Sequence, residues 1–285
     1  MKPIALLAAG AVSAQGEGAL AYAVGDAFEP ARSSVALDPE LEALGLRRPR
    51  AARVKLADLA TTQDRAQALL TVAARGLKAE LDRKLPGWRQ RRLGLALGTS
   101  GGGLPSLERF LTLRAQGGEI KSELARASFY FGPLSALERE LGVTFVERSL
   151  LLAACASSTV ALGLGTRWLE AGRAELVIAG GFDALTPFIA AGFEALGATA
   201  LELPAPFRVA RQGMSLGEGA ALCALAPAGD FEASPLGYVL GFAVSSDAVH
   251  VTAPDRTGQS LARAATQALA DAGLSPAEVD IVSAH

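Results

Sequence analysis

Apolar positions along the chain form strand-length runs that alternate with helical stripes. Residues 4–8 are a first strand, and residues 10–18, punctuated by glycine, read as a flexible loop. Residues 26–53 mix Pro, Ser and Arg without periodicity. A helix follows over residues 58–81, with Leu69, Val72 and Leu77 on one face, and then a strand over 93–97. Helices are expected at 104–113 and 131–141, the second ended by Gly142. Residues 150–153 are again apolar and of strand length, 156–170 carry a helical pattern closed by Gly172, and 176–179 form the next strand. A helical stretch around 188–196 and a strand at 222–225 precede the Pro/Gly/Asp-containing link 227–235, the clearest internal boundary. Beyond it the pattern repeats: strand 238–244, polar loop, helix 258–272 and strand 279–282. Such alternation implies an α/β protein, with residues 1–234 and 235–285 as its two parts.

The β-α-β unit around residue 155 carries the first candidate chemistry. Cys155 stands where a strand hands over to a helix. The first N–H groups of a helix have no partner inside it, and the peptide dipoles add partial positive charge there. That setting favours the nucleophilic thiolate, and a tight strand-to-helix turn presents the side chain to an incoming acyl group. Position alone leaves an equal second reading, that of a small hydrophobe packed in a buried unit. Along the helix Ser157, Ala161 and Gly165 recur at four-residue spacing as a ridge of small side chains over which a neighbour can pack closely.

The run Gly98-Thr99-Ser100-Gly101-Gly102-Gly103 invites comparison with a phosphate-cradling loop. It lacks the Gly-Lys-Ser/Thr ending of that motif and the spacing of a dinucleotide fingerprint, so a turn where backbones pass closely is expected instead.

Composition narrows the picture. Of the 285 residues half are hydrophobic and a fifth charged, with a net charge of −2, which suits a folded protein with a large core and argues against disorder. The charge balance gives no support to nucleic-acid binding. No segment is long and apolar enough to span a membrane, and the N-terminal apolar run is too short for a signal peptide. Two cysteines, Cys155 and Cys223, fit reduced thiols and a cytoplasmic setting, with Cys223 a packed core residue.

Several segments together resemble the β-ketoacyl-acyl-carrier-protein synthases of the thiolase fold. Ala154-Cys155-Ala156-Ser157-Ser158 is similar to the nucleophile segment of that family, and Ala179-Gly180-Gly181 to the strand end that follows. Gly192-Phe193 with Ala195-Leu196 resembles its acyl-pocket segment. Pro206-Phe207 through Gly217-Glu218-Gly219-Ala220 resembles its Pro-Phe-Asp…Gly-Glu-Gly-Ala stretch. Ser246-Asp247-Ala248-Val249-His250-Val251-Thr252-Ala253-Pro254 matches the loop opening its second half, and residues 279–285 the strand delivering its first catalytic histidine. The six segments occur in family order and cover the chain from Gly10 onward. Gly-Glu-Gly-Ala and the Asp-Ala-x-His loop place it nearer the elongating synthases than the initiating type or the degradative thiolases.

The resemblance implies a layered α-β-α-β-α fold and decarboxylative Claisen condensation. Cys155 would accept an acyl chain from the phosphopantetheine of an acyl carrier protein, and His285 would stabilise the enolate formed from malonyl-carrier protein. Phe193 and Thr252 would contact acyl chain and pantetheine. His250 would be a hydrogen-bonded loop residue, and Glu218, between Gly217 and Gly219, a buried structural carboxylate. Neither metal nor other bound cofactor is implied. The implied partners are the carrier protein and a second ketosynthase-like subunit, a homodimer pairing through residues 150–153 or a heterodimer. The basic stretches 47–53 and 84–92 could steer carrier docking, although solvated faces are the simpler account.

Three departures stand out. Ala153 replaces a family threonine and Arg208 a family aspartate. The sequence also stops at His285, where the family continues into Gly-Thr-Gly-Thr, a lysine, a second histidine and a Gly-Phe-Gly-Gly loop. The N-terminal half is therefore expected to be complete and the C-terminal half truncated. Losing one oxyanion donor alone costs roughly a hundred- to a thousandfold in rate, so these residues alone are expected to condense weakly or not at all. Two other functions compete: a non-catalytic partner similar to a chain-length factor, and a cysteine-dependent acyl hydrolase that would cleave thioesters without malonyl.

Overall fold

The computed structural model describes residues 3–18, 33–56, 64–250 and 253–285. Its centre is a pair of parallel strands, β5 (Leu93–Gly98) and β7 (Leu176–Asp183), apolar on both faces as strands covered on both sides must be. On the far side of β5 runs β6 (Glu147–Leu151), parallel to it and at the sheet edge. Beyond β7 come β9 (Gly219–Pro227) and β1 (Ile4–Ser13), each antiparallel to its neighbour, with β2 (Gly16–Glu17) hairpinned onto β1. β10 (Gly237–Val239) closes the other edge, so the order is β10-β1-β9-β7-β5-β6.

Side chains that alternate along these strands divide between two cores. Leu95, Leu97, Ile178 and Leu222 face α2 (Arg65–Lys84), whose Leu69, Leu70, Leu77 and Leu81 are fully buried, and α5 (Leu134–Leu141) joins the same layer. Ala96, Val177, Ala179 and Leu225 face α6 (Ser157–Glu170) through Ala161, Trp168 and Leu169. Past α6 the chain runs on in extended form, with the Phe242 ring over Gly163 and Gly241 against the backbone of α8 (Gln259–Ala272). Arg167 of α6 ties this layer down through Asp271, at 2.8 Å, and the Phe242 carbonyl. The stacking is helix, sheet, helix, extended chain, helix.

A small three-stranded sheet lies to one side, with β4 (Arg50–Ala52) between β3 (Ala36–Leu37) and β8 (Leu216–Gly217). It packs through Ala51 on Leu41 of α1 (Pro39–Ala43) and on Ala190 of α7 (Pro187–Ala195). Two further helices, α3 (Leu104–Ala115) and α4 (Ser122–Ala127), follow β5.

The structure departs from the sequence expectations at several points. β1 does not stop at Ala8 but continues through Gly10 to Ser13. Gly10 is glycine because α2 crosses there, and a Cβ would fall on the Ala73 carbonyl. The helix expected from residue 58 starts at Arg65, capped by Asp64 accepting from the Gln67 N–H at 2.9 Å, and residues 57–63 lie outside the described residues. The helix expected from residue 131 starts at Leu134, behind Pro133, and α4 carries too short a stripe to read from periodicity. The strand expected at 150–153 sits earlier, at Glu147–Leu151, in register with β5.

Two expected strands in the last part are not formed as read. Only Gly237–Val239 of residues 238–244 and its flank pairs, on β1. Residues 279–282 find no ladder partner among the described residues, leaving Ile281 86% and Val282 78% exposed. An apolar run becomes a strand only where another strand satisfies its backbone.

Substituting Gly10→Ala should place a methyl on the α2 backbone and lower stability by about 3 kcal/mol, as overpacking of a closed core does. Chemical denaturation followed by circular dichroism would check this.

Candidate active site

The sheet end at which β5 and β7 finish is also where β1 finishes and β9 begins, since Ser13 pairs with Gly219 and Asp183 with Gly219. A cleft of about 610 Å³ opens there, lined by the ends of these four strands and by the start of α6. Ligands in α/β sheets favour the carboxyl ends of parallel strands, where chain direction and helix N-termini converge. The lining is mostly Ala, Gly, Val and Leu, with Asp183 its one charged side chain.

Cys155 is part of this lining and is exposed. Its place follows from backbone packing. The end of β5 at Gly98 presses on the first turn of α6, and a Cβ there would overlap the Ser157 carbonyl carbon and the Ser158 nitrogen. The helix therefore begins directly on the strand, and the five residues between β6 and α6 reverse sharply. Ala154 absorbs the reversal with φ +49°, a left-handed conformation costing about 1–3 kcal/mol for a residue with a side chain. The Ser157 hydroxyl sits inside the turn, accepting from the Ala153 N–H at 2.8 Å and donating to the Ala154 carbonyl at 2.6 Å.

The glycine-rich run after β5 is a close-packed turn, as its sequence suggests, and its donors are already used. The Asp183 carboxylate accepts from the Ser100 N–H at 2.9 Å, the Gly101 N–H at 2.7 Å and the Thr99 hydroxyl at 2.9 Å, while Gly102 donates to the Thr99 hydroxyl oxygen at 2.8 Å. The protein's own carboxylate fills the place a phosphate would take. Asp183 was missed in the sequence, where the signal was an acidic residue ending an otherwise apolar strand.

Glu218 is buried with its carboxylate at 0% exposure and accepts from the Val54 N–H at 2.9 Å, the Leu185 N–H at 3.2 Å and Arg65. Arg53 reaches it at 3.5 Å and also bonds Asp38 at 2.6 Å, Glu40 at 2.8 Å and the Leu185 carbonyl at 2.6 Å. This knot fastens the small sheet to β9 and α2. Gly217 lies on β8 beside Ala52, and Gly219 lies at the cleft rim.

Of the remaining candidates only Cys223 also borders the cleft. Phe193 is half-buried on α7 and does not line the cleft. His250 is an exposed loop residue whose Nδ1 accepts from the Ala253 N–H at 3.1 Å. Thr252 lies outside the described residues. His285 is exposed and is not among the residues lining the cleft, so the structure does not bring it to Cys155. Cys223 is buried, with its thiol donating to the Ala179 carbonyl at 3.3 Å, and burial pushes it up to about 12. The basic stretches are largely engaged at home: Lys84 pairs with Glu80, Arg89 with Asp82, and Arg91 with Glu175. Among the described residues no group of three His, Cys, Asp or Glu side chains is placed to hold a metal ion, and no helix is long and apolar enough to cross a membrane.

Comparison with known proteins bears on the family and the fold. Residues 149–230 match the model of the β-ketoacyl synthase N-terminal domain, and residues 236–285 that of the C-terminal domain. The chain belongs to the β-ketoacyl synthase family. It is 31% identical over 212 residues to 3-oxoacyl-(acyl-carrier-protein) synthase 2 of Synechocystis, covering 68% of this chain and 49% of that protein. Among solved structures, the ishigamide ketosynthase/chain length factor superposes with a TM-score of 0.86 at 25% identity, covering 98% of this chain and 72% of that one. A type II polyketide synthase acyl-carrier protein in complex with its ketosynthase gives the same TM-score of 0.86 at 22% identity, over 98% and 72%, and shows the fold. The chain thus has the thiolase-like architecture, and it spans about half the length of the curated relatives it matches.

Two measurements follow. An alkylating reagent near neutral pH should modify Cys155 and leave Cys223 untouched, giving one adduct per folded chain by intact mass and two after denaturation. The second concerns acid. Burial pushes the Asp38 carboxyl up, but hydrogen bonds from Arg53 and the Leu41 N–H and the Arg53 charge outweigh it and hold the group below its ordinary 3.8. A depressed folded-state value stabilises the fold above the unfolded carboxylate range and is lost as pH falls through the folded value. Asp38→Asn should lower stability at neutral pH and flatten its fall below about pH 4, read from unfolding midpoints across pH.

Proposed function

We propose that the chain is a β-ketoacyl-acyl-carrier-protein synthase of fatty acid or polyketide synthesis, acting in the cytoplasm, with Cys155 as the nucleophile. The observation that carries this reading is an exposed thiol at the strand-to-helix turn, lining an apolar cleft at the ends of parallel strands. Its substrates would arrive as thioesters on the phosphopantetheine of an acyl carrier protein, as in the complexed ketosynthase to which the fold is similar.

In the first half-reaction the Cys155 sulfur attacks the thioester carbonyl and the pantetheine sulfur leaves with a proton, so that the acyl chain becomes a cysteine thioester. The apolar lining suits the chain, and burying each methylene there contributes about 0.8 kcal/mol. In the second, malonyl-carrier protein loses carbon dioxide, and the resulting enolate carbon attacks the acyl carbonyl. The new carbon–carbon bond releases the Cys155 sulfur and leaves the chain two carbons longer. Enolate stabilisation would fall to His285 by family resemblance. Because that residue stands outside the cleft here, the acyl-transfer half rests on this chain's geometry and the condensation half on the resemblance. Glu218 serves this scheme through its hydrogen-bond knot; by family resemblance Phe193 would contact the acyl chain, Thr252 the pantetheine, and His250 would belong to the loop that shapes the mouth of the site.

A second reading is the non-catalytic subunit of a ketosynthase heterodimer, favoured by the similarity to ketosynthase/chain length factor assemblies and by the position of His285. In either reading the exposed edge strand β6, at the sheet border, is the surface across which a homodimer or heterodimer would pair.

Incubation with acyl-carrier protein should add one acyl group to the wild type and none to Cys155→Ala, by intact mass. Malonyl-carrier protein should then discharge it as a β-ketoacyl product. A folded protein that takes up no acyl group would establish the partner role, and release of free acid without malonyl would establish a hydrolase.

A further inference from the structure

We propose that Ser157 is a positioning residue for Cys155, whose hydroxyl holds the preceding residue in the left-handed conformation that turns the sulfur into the cleft. The proposal rests on the nucleophile reading above and deepens it. Ser157 is 3% exposed, and its hydroxyl bridges both residues that lead into the cysteine, accepting from the Ala153 N–H and donating to the Ala154 carbonyl. Ala154 is one of three non-glycine residues with positive φ among the described residues, and its conformation needs an outside constraint.

The same hydroxyl lies 3.3 Å from the Thr99 carbonyl. Thr99 is fixed twice more, by its N–H on the Leu151 carbonyl at 3.1 Å and by its hydroxyl on Asp183 at 2.9 Å. The turn bearing the thiol is thereby referenced to the ends of β5, β6 and β7 rather than left to its own strained backbone.

The test is the rate of iodoacetamide alkylation at Cys155, with Cys223 as internal control. Ser157→Ala should slow alkylation of Cys155 by roughly ten- to a hundredfold, the scale of a displaced reacting group. The ratio to wild type should hold across neutral and mildly alkaline pH, and Cys223 should stay unmodified. In the double variant S157A/A154G glycine adopts the positive φ freely, so most of the lost rate should return. This variant also serves if S157A alone does not fold. An S157A rate equal to wild type, labelling of Cys223 in S157A, or no recovery in the double variant would each overturn the proposal. The parent reading fails by a different sign: a wild-type Cys155 that takes no acyl group from acyl-carrier protein although iodoacetamide labels it.

Discussion

The first turn of α6 rests on the backbone of β5 with no side chain between them. Gly98 makes this contact possible, and much of the candidate site follows from it. Because helix and strand meet without a spacer, the connection from β6 must reverse within five residues. One of them takes a strained φ, and the next stands at the mouth of the cleft as a thiol. Buried serine and threonine groups and a half-buried aspartate then hold the reversal in place, each satisfied by backbone that the sheet ends leave unpaired. Geometry of this kind is set by packing rather than by the charge of any one group.

A second constraint lies on the other side of the cleft. Glu218 has no contact with water, and its partners come from three separate segments: the Arg53–Val54 strand end, the start of α2 and the turn after β7. A buried carboxylate without such partners would cost several kcal/mol, so folding of the small sheet and of the main one cannot be independent. The rim residue Gly219 follows Glu218 directly and inherits its rigidity.

Much of the fold was legible in the sequence because the strand cores are short apolar runs and α2 and α6 carry long stripes. Cys155 was legible too, since a thiol between a strand-length run and a helical pattern is a local signal. What escaped depends on contacts between distant segments. Gly10 looked like loop punctuation, yet it is a strand residue under a crossing helix. Asp183 looked like a strand end and proves to be the partner of the glycine-rich turn. Ser157 was visible as a small side chain and as part of the nucleophile segment, but its hydroxyl partners are defined by a backbone reversal that periodicity does not register. The apolar run at 279–282 shows the converse, for a pattern cannot supply the neighbour a strand requires.

Asp183 has a bearing on what the cleft admits. Its carboxylate neutralises the dipoles of the glycine-rich turn, and no lysine or arginine belongs to the lining. A dianionic headgroup entering there would meet a negative charge with no cation to answer it, whereas an uncharged thioester would meet none of that repulsion. Under the proposed reading, a carrier-borne thioester would leave its phosphate outside, and only the neutral part of its arm would pass inward.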